Sequence, residues 1–307
     1  MTLVITTCTS RKRKPIHGTL HASALPRAPI AKLASDWVLR LASVAEVFPA
    51  SEIYGGRSFQ EATLAASLLD ARLMVVSAGL GLISADAQVP PYACTVLVDA
   101  PDSIAPRVVG SYSMAGWWQA LGAVSPYVQS LHQVTAENDG LICAALSDAY
   151  IEMISDELCA LPEAVLARLR LFTRAPFERI APALRPFTMP YDDRLDGPDS
   201  PVRGTRGDFA ARALHHFAKF VVSEADGRSA TDHGAAVSAA LADWRMAARF
   251  DRRRLDDASL LDLIRAHWDA ECGSTARLLR RFRDDLGVAC EQGRFAELAR
   301  RVRGERT

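Results

Sequence analysis

Residues 71–95 read ARLMVVSAGLGLISADAQVPPYACT, and this stretch decides the fold. Residues 71–77 are short and increasingly apolar, the composition of a strand buried on both faces. Gly79, Gly81 and the Pro90-Pro91 pair then break the pattern, so 78–95 is expected to be one long loop. Ordered loops after buried strands are frequent places for function.

Working outward, similar short apolar runs recur at 2–8 (TLVITTC), 140–146 (GLICAAL), 167–173 (ARLRLFT) and 184–190 (LRPFTMP). Helical periodicity fills the intervals at 27–46, 59–69, 114–130 and 148–161, with Ser58 a candidate N-cap for the second. Strands alternating with helices predict an α/β fold: a mostly parallel central sheet with helices on both faces. In such sheets ligands sit beyond the carboxyl ends of the strands. The loops after 2–8, 71–77 and 140–146 are therefore expected to share one crevice.

Beyond this, 191–206 reads as a loop and Asp208 opens a further helix. Residues 223–234 look like a linker, and helices follow at 235–250, 259–271, 274–286 and 292–303. The expected organisation is an α/β domain over 1–222 and a helical module over 235–307.

Composition bounds the function. Among 307 residues, 36 basic side chains balance 36 acidic ones, so any nucleic-acid contact must come from a local patch. The six cysteines form no C-x-x-C pair, which leaves structural zinc and a disulfide framework without support. The chain shows no signal-peptide pattern and no apolar run of about 18 residues, so a reducing, cytoplasmic setting without a membrane partner is expected.

Four constellations stand out. Cys8 to Pro15 (CTSRKRKP) places Ser10, Arg11, Lys12 and Lys14 at a strand end, where backbone amides and cations suit a phosphate. Only four lysines occur in the chain and two are here. Tyr54-Gly55-Gly56-Arg57 puts a cation at a helix start, against the dipole, as if for a phosphate. The 78–95 loop carries Asp86, a candidate for stabilising a sugar cation, and Tyr92, on which a base could stack. Arg203-Gly204-Thr205-Arg206-Gly207-Asp208 offers two further arginines at a helix start. Each also has a plain reading: a solvated basic loop, a glycine turn, a loop held by Asp86, and a simple N-cap at Asp208. In the tail, Arg277, Arg280, Arg281 and Arg283 crowd one segment that resembles a helix-turn-helix, although Asp284, Asp285, Glu291 and Glu297 interleave.

The order of these motifs resembles a uracil-DNA-glycosylase-like α/β family associated with phage-defence and DNA-modification loci. The resemblance rests on the Cys-Ser/Thr-rich basic loop at the end of the first strand, Tyr-Gly-x-Arg-Ser-Phe, the SAGLGLI…D…PPY loop and the GTRGDF turn, over roughly 1–220. It implies a monofunctional DNA glycosylase, needing neither metal nor cofactor, that flips out and excises a modified base such as glucosylated hydroxymethylcytosine from viral DNA, leaving an abasic site. Asp86 would then be catalytic. Ser10, Lys12, Tyr54 and Tyr92 would meet the base, and Arg11, Lys14, Arg57, Arg203, Arg206, Arg277 and Arg281 the phosphates. The Gly-Gln-Asp-Pro-Tyr and His-Pro-Ser-Pro motifs of the uracil enzymes are absent. Two other readings stay open. One is a 7-deazaguanine-type base-modifying enzyme using Cys8 with Lys12 or Lys14, and the other a DNA-binding regulator without catalysis.

Overall fold

A computed structural model describes residues 1–222, 227–247 and 252–306. It divides into two compact units, 1–247 and 248–307. The first unit begins with β1 (Thr2–Thr7), α1 (Ile30–Ala42), β2 (Phe48–Pro49), α2 (Ala50–Ile53), α3 (Arg57–Leu68), β3 (Ala71–Ser77), β4 (Gly81–Ser84) and β5 (Gln88–Val89). It continues with α4 (Met114–Gly122), α5 (Leu131–Ala136), β6 (Ile142–Ala145), α6 (Asp148–Cys159), α7 (Glu163–Leu166), β7 (Leu169–Phe172), α8 (Phe209–Phe220) and α9 (Ala230–Ala240).

Five strands form one sheet in the order β4-β3-β1-β6-β7. β1 pairs in parallel with β3 and β6, and β6 with β7. The fold is therefore mixed α/β with a mostly parallel sheet. The residue alternation of β1 shows why both faces are covered. Leu3 and Ile5 enter a core that includes Trp37 of α1, Trp117 of α4 and Ile151 of α6. Val4 points the other way, into a core with Ala65 of α3 and Phe209, Ala213 and Phe217 of α8. Burying a Leu or Phe side chain contributes roughly 1.5–3 kcal/mol, so these two layers carry most of the stabilisation.

Three expectations change. The stretch 78–95 is not one loop, because residues 81–84 turn back as β4, antiparallel to β3 (Ser77 opposite Gly81, Met74 opposite Ser84). Its glycines serve this geometry. Gly81 has φ +90, and a Cβ there would lie 2.1 Å from Val128 Cγ2. The expected strand at 184–190 is a 3-10 turn (Pro182–Phe187) with a single bridge from Thr188 to Leu171. The helix expected over 114–130 stops at Gly122.

The domain boundary also moves. α9 was expected to open the C-terminal module, yet Val237 and Leu241 belong to the α3/α8 core and His233 Nδ1 accepts from Arg170 at 2.7 Å. Part of the expected 223–234 linker, 223–226, lies outside the described residues.

The second unit holds β8 (Arg253–Arg254), α10 (Asp257–His267), α11 (Thr275–Asp284), β9 (Val288–Ala289) and α12 (Gln292–Gly304). It has its own core around Leu260, Ile264, Leu278, Phe282, Phe295 and Leu298. β8 and β9 pair in parallel. Ser274 caps α11 by accepting from Arg277 N, and Gly287 takes φ +58 in the turn after it. Among the described residues no helix is long and apolar enough to cross a membrane.

Candidate active site

The carboxyl ends of β1, β3 and β6 bring together a buried polar cluster. β1 ends at Thr7, and the next residue, Cys8, continues the ladder by donating its amide to Val76 O at 2.9 Å. Its thiol lies 3.0 Å from the Tyr150 hydroxyl, in the first turn of α6 just after β6. Ser77, the last residue of β3, accepts backbone N–H groups from Gly79 (3.3 Å) and Leu80 (3.0 Å). With its lone pairs so used, its own proton points to the Tyr92 hydroxyl, a contact that is very short. The Tyr92 hydroxyl in turn meets the Tyr54 hydroxyl at 2.9 Å. Both rings are fully buried.

The Lys12 amine lies against the rings of these two tyrosines. Its Nζ stands 5.2 Å from the Tyr54 ring centre and 4.9 Å from that of Tyr92, and it donates a short hydrogen bond to Thr9 O. A backbone bridge from Lys12 to Tyr54 fixes the loop beside α2 and α3. Among the described residues no carboxylate lies within ion-pair distance of this amine. Burial lowers its pKa, against the opposing influence of Cys8, Cys94 and the more distant Asp102. Desolvation likewise raises the pKa values of Tyr54, Tyr92, Tyr150 and Cys94, so these hydroxyls and this thiol keep their protons. Asp102, held by Ser23 and His21, has its pKa lowered despite partial burial.

The framework around the cluster is rigid for a stated reason. Trp37 Nε1 donates to Gly79 O and Trp117 Nε1 to Ala78 O, each at 2.7 Å. Two indoles thus satisfy the carbonyls of a buried turn that has no ladder partner of its own. Gly79 is required by close approach, since a Cβ there would sit 2.5 Å from Tyr92 Cε2. This contact, rather than a phosphate, accounts for the first glycine of the Gly-x-Gly.

Of the expected base-contacting residues, Lys12, Tyr54 and Tyr92 come together, while Ser10 is exposed on the loop. Asp86 does not join them. It is exposed in the turn after β4, and its neighbour Ala85 donates to Leu73 O, four residues before Ser77. Because β4 runs antiparallel, the turn lies roughly 13 Å down the sheet from the carboxyl ends. The catalytic assignment of Asp86 is corrected on that geometry.

The expected phosphate contacts divide. Arg11 is exposed. Lys14 is committed to Glu52 at 3.0 Å and to the Phe48 ring at 4.3 Å. Arg57 bonds Glu61 at 3.1 Å and approaches Asp208 at 3.8 Å, which brings the Gly-Gly-Arg turn to the Thr205–Asp208 turn. There Asp208 accepts from Thr205 N at 2.8 Å and from Arg212 Nε at 2.6 Å, so it is a helix cap and the partner of a fully buried arginine. Arg203 and Arg206 are exposed on that turn. In the second unit Arg277 is exposed, but Arg281 is tied to Glu271 at 3.0 Å.

A groove of about 680 Å³ runs beside this turn, lined by Arg13, Ser51, Arg57, Gln60, Glu61 and Leu64 among others. Arg13 packs on Gly55, next to Tyr54. Glu61 also meets His215 Nδ1 at 2.5 Å, whereas His216 on the opposite helix face contacts Tyr191 at 2.8 Å. The two histidines do not form a metal pair, and among the described residues no three metal-ligating side chains gather.

Sequence reasoning overlooked Ser77, Cys94 and Tyr150. Ser77 and Tyr150 sit at the carboxyl ends of β3 and β6, so strand-end position was the available signal; Cys94 had none. No family model matches the chain, and no curated protein or solved structure matches it either.

Proposed function

We propose that this chain is a DNA glycosylase whose nucleophile is the Lys12 amine. The observation that carries the reading is a desolvated lysine at the carboxyl ends of parallel strands, over two tyrosine faces and without a carboxylate partner among the described residues. A lysine so placed is neutral over a wider pH range than a solvated one, and a neutral amine is the nucleophilic form. The substrate class is a modified base in DNA, glucosylated hydroxymethylcytosine being the form that the motif resemblance implies. The groove lined by Arg13 and Arg57 is adjacent to Tyr54 and suits a phosphate backbone. The second unit is an accessory DNA-holding module in this reading.

The chemistry balances as follows. The Lys12 nitrogen bonds to C1′ of a flipped nucleotide as the bond from C1′ to the base breaks. The bonding pair leaves on the base. The proton lost by the attacking nitrogen passes to solvent, and the departing base takes one from solvent. The nitrogen lone pair then expels O4′, which takes a proton from solvent to become the C4′ hydroxyl and leaves an iminium; water adds to the iminium, returns a proton to solvent and releases the amine and an abasic site.

Borohydride tests this directly, because it reduces the iminium to a permanent amine link between protein and DNA. Duplex carrying the glucosylated base should yield a cross-linked band with the unaltered chain and with Asp86→Asn, and none with Lys12→Met. Abasic sites formed equally by Lys12→Met, without any adduct, would refute the assignment. The contact between Cys8 and Tyr150 within the same cluster favours one second reading, in which the Cys8 thiol attacks a nitrile on a deazaguanine-type base. Loss of all base chemistry in Cys8→Ala, with no trapping in any variant, would select it.

A further inference from the structure

We infer that the second unit carries a phosphate cradle for the backbone of a polynucleotide, built from Arg252, Arg254, Arg283 and Arg294; this rests on the reading of the chain as a DNA-acting protein. The four arginines line one depression of about 440 Å³, together with Ala289, Cys290 and Glu291. That is the size range of small-ligand sites, roughly 300–1,000 Å³. The positions come from the fold. Pairing of β8 with β9 sets Arg252 and Arg254 beside the start of α12. Arg283, in the last turn of α11, donates to Cys290 O at 3.0 Å and so faces the same point.

Three of these side chains have structural work. Arg252 Nε donates to Arg283 O at 2.8 Å, and Arg294 binds Asp257 and donates to Leu255 O at 3.1 Å. Arg254 has none: it is exposed, and its side chain forms no hydrogen bond or ion pair among the described residues. The lone acidic residue of the lining, Glu291, is spent on the amides of Gly293 and Arg294, each at 2.8 Å. It caps α12 and offsets the helix dipole; with Asp284 3.4 Å from Arg252 and Asp257 2.6 Å from Arg294, Arg254 and Arg283 are left without a carboxylate partner among the described residues. The Arg254 and Arg283 guanidinium groups share one concavity, and a concave wall focuses their field on whatever enters. The wider charge distribution agrees. Residues 252–306 hold thirteen arginines and ten acidic side chains, a net of +3, in a chain whose total is zero. A chain of phosphodiesters satisfies such a set, because each guanidinium offers a fork of donors to phosphate oxygens.

The set differs from the arginines that the sequence singled out. Arg281 is held by Glu271, and Arg277 lies outside the lining.

The test uses the full chain and an unmodified labelled duplex, with binding read by fluorescence anisotropy between about 50 and 200 mM salt. Arg254→Ala should weaken binding several-fold and flatten the plot of log affinity against log salt by about 1, the change expected for one lost phosphate contact. Arg300→Ala, an exposed arginine of α12 outside the lining, should change neither. Equal losses from both variants would reduce the effect to diffuse charge. No loss from Arg254→Ala, or no binding by the unaltered chain, would remove the cradle. Displacement of the duplex by inorganic phosphate at matched ionic strength would make the ligand a free phosphate and overturn the polynucleotide assignment. The binding assay uses unmodified duplex and no borohydride, so failure of the trapping chemistry and failure of the cradle are read separately.

Discussion

The hydroxyl chain at the candidate site makes a quantitative prediction that can be tested before any substrate is known. Tyr92→Phe removes one oxygen and with it two hydrogen bonds, to Tyr54 and to Ser77. Neutral bonds contribute about 0.5–1.5 kcal/mol each. In addition, the Ser77 proton loses its acceptor while the serine lone pairs stay engaged with Gly79 and Leu80. An unsatisfied buried group of this kind costs about 1–3 kcal/mol, so a total of about 2–6 kcal/mol is expected. Tyr54→Phe removes only the shared bond and should cost about 1 kcal/mol. The double variant loses the shared bond once, not twice, so its cost should fall short of the sum by about 1 kcal/mol. Urea unfolding followed by tryptophan fluorescence measures all three. A Trp268→Phe background confines the signal to Trp37, Trp117, Trp118 and Trp244, all in the first unit. Trp37 packs edge-on to Tyr92 at 6.1 Å and reports the site itself. Strict additivity of the two substitutions would refute the hydroxyl chain.

Further outcomes follow from the same structure. Burial, with a smaller contribution from His215, lowers the His216 pKa from 6.5 to about 4. The folded state resists a proton that the unfolded chain accepts, so stability is full above pH 6.5 and is lost as pH falls towards 4. The loss should reach about 2–3 kcal/mol by pH 4.5 and be absent from the difference curve of His216→Gln in urea titrations. Arg212→Met strands Asp208 and Asp196, both partners of a fully buried guanidinium, and should cost about 3–5 kcal/mol in the same assay. Finally, the borohydride trapping rate should rise with pH at a midpoint below the ordinary lysine value of 10.5, and Lys12→Arg should abolish it.

The sheet was legible because strands buried on both faces leave near-continuous apolar runs, as in Leu3-Val4-Ile5 and Met74-Val75-Val76. β4 was hidden because Gly79 and Gly81 read as loop punctuation, although only the packing of Tyr92 and Val128 explains them. That omission produced the Asp86 error: without the chain reversal at β4, a carboxylate after β3 counts as lying at the carboxyl end of the sheet. Lys12, Tyr54 and Tyr92 were each visible as residues with chemistry in suspect loops. Their meeting was not, since it depends on Trp37 and Trp117 holding the turn between them. α9 was assigned to the wrong unit because its helical pattern says nothing of which core Val237 enters.

The position of β1 has a consequence for the chain as it is made. β1 precedes the other strands of the sheet in the chain yet occupies its centre, and its second edge is covered only when Ile142–Ala145 arrives. At about 5–20 residues per second, that edge stays open for roughly 7–28 s of synthesis. For that interval Leu3, Val4 and Ile5 present an apolar strand with unpaired amides, the kind of segment that captures a second chain. Slowed translation before residue 142 should therefore lower the yield of folded protein more than the same delay placed after residue 172.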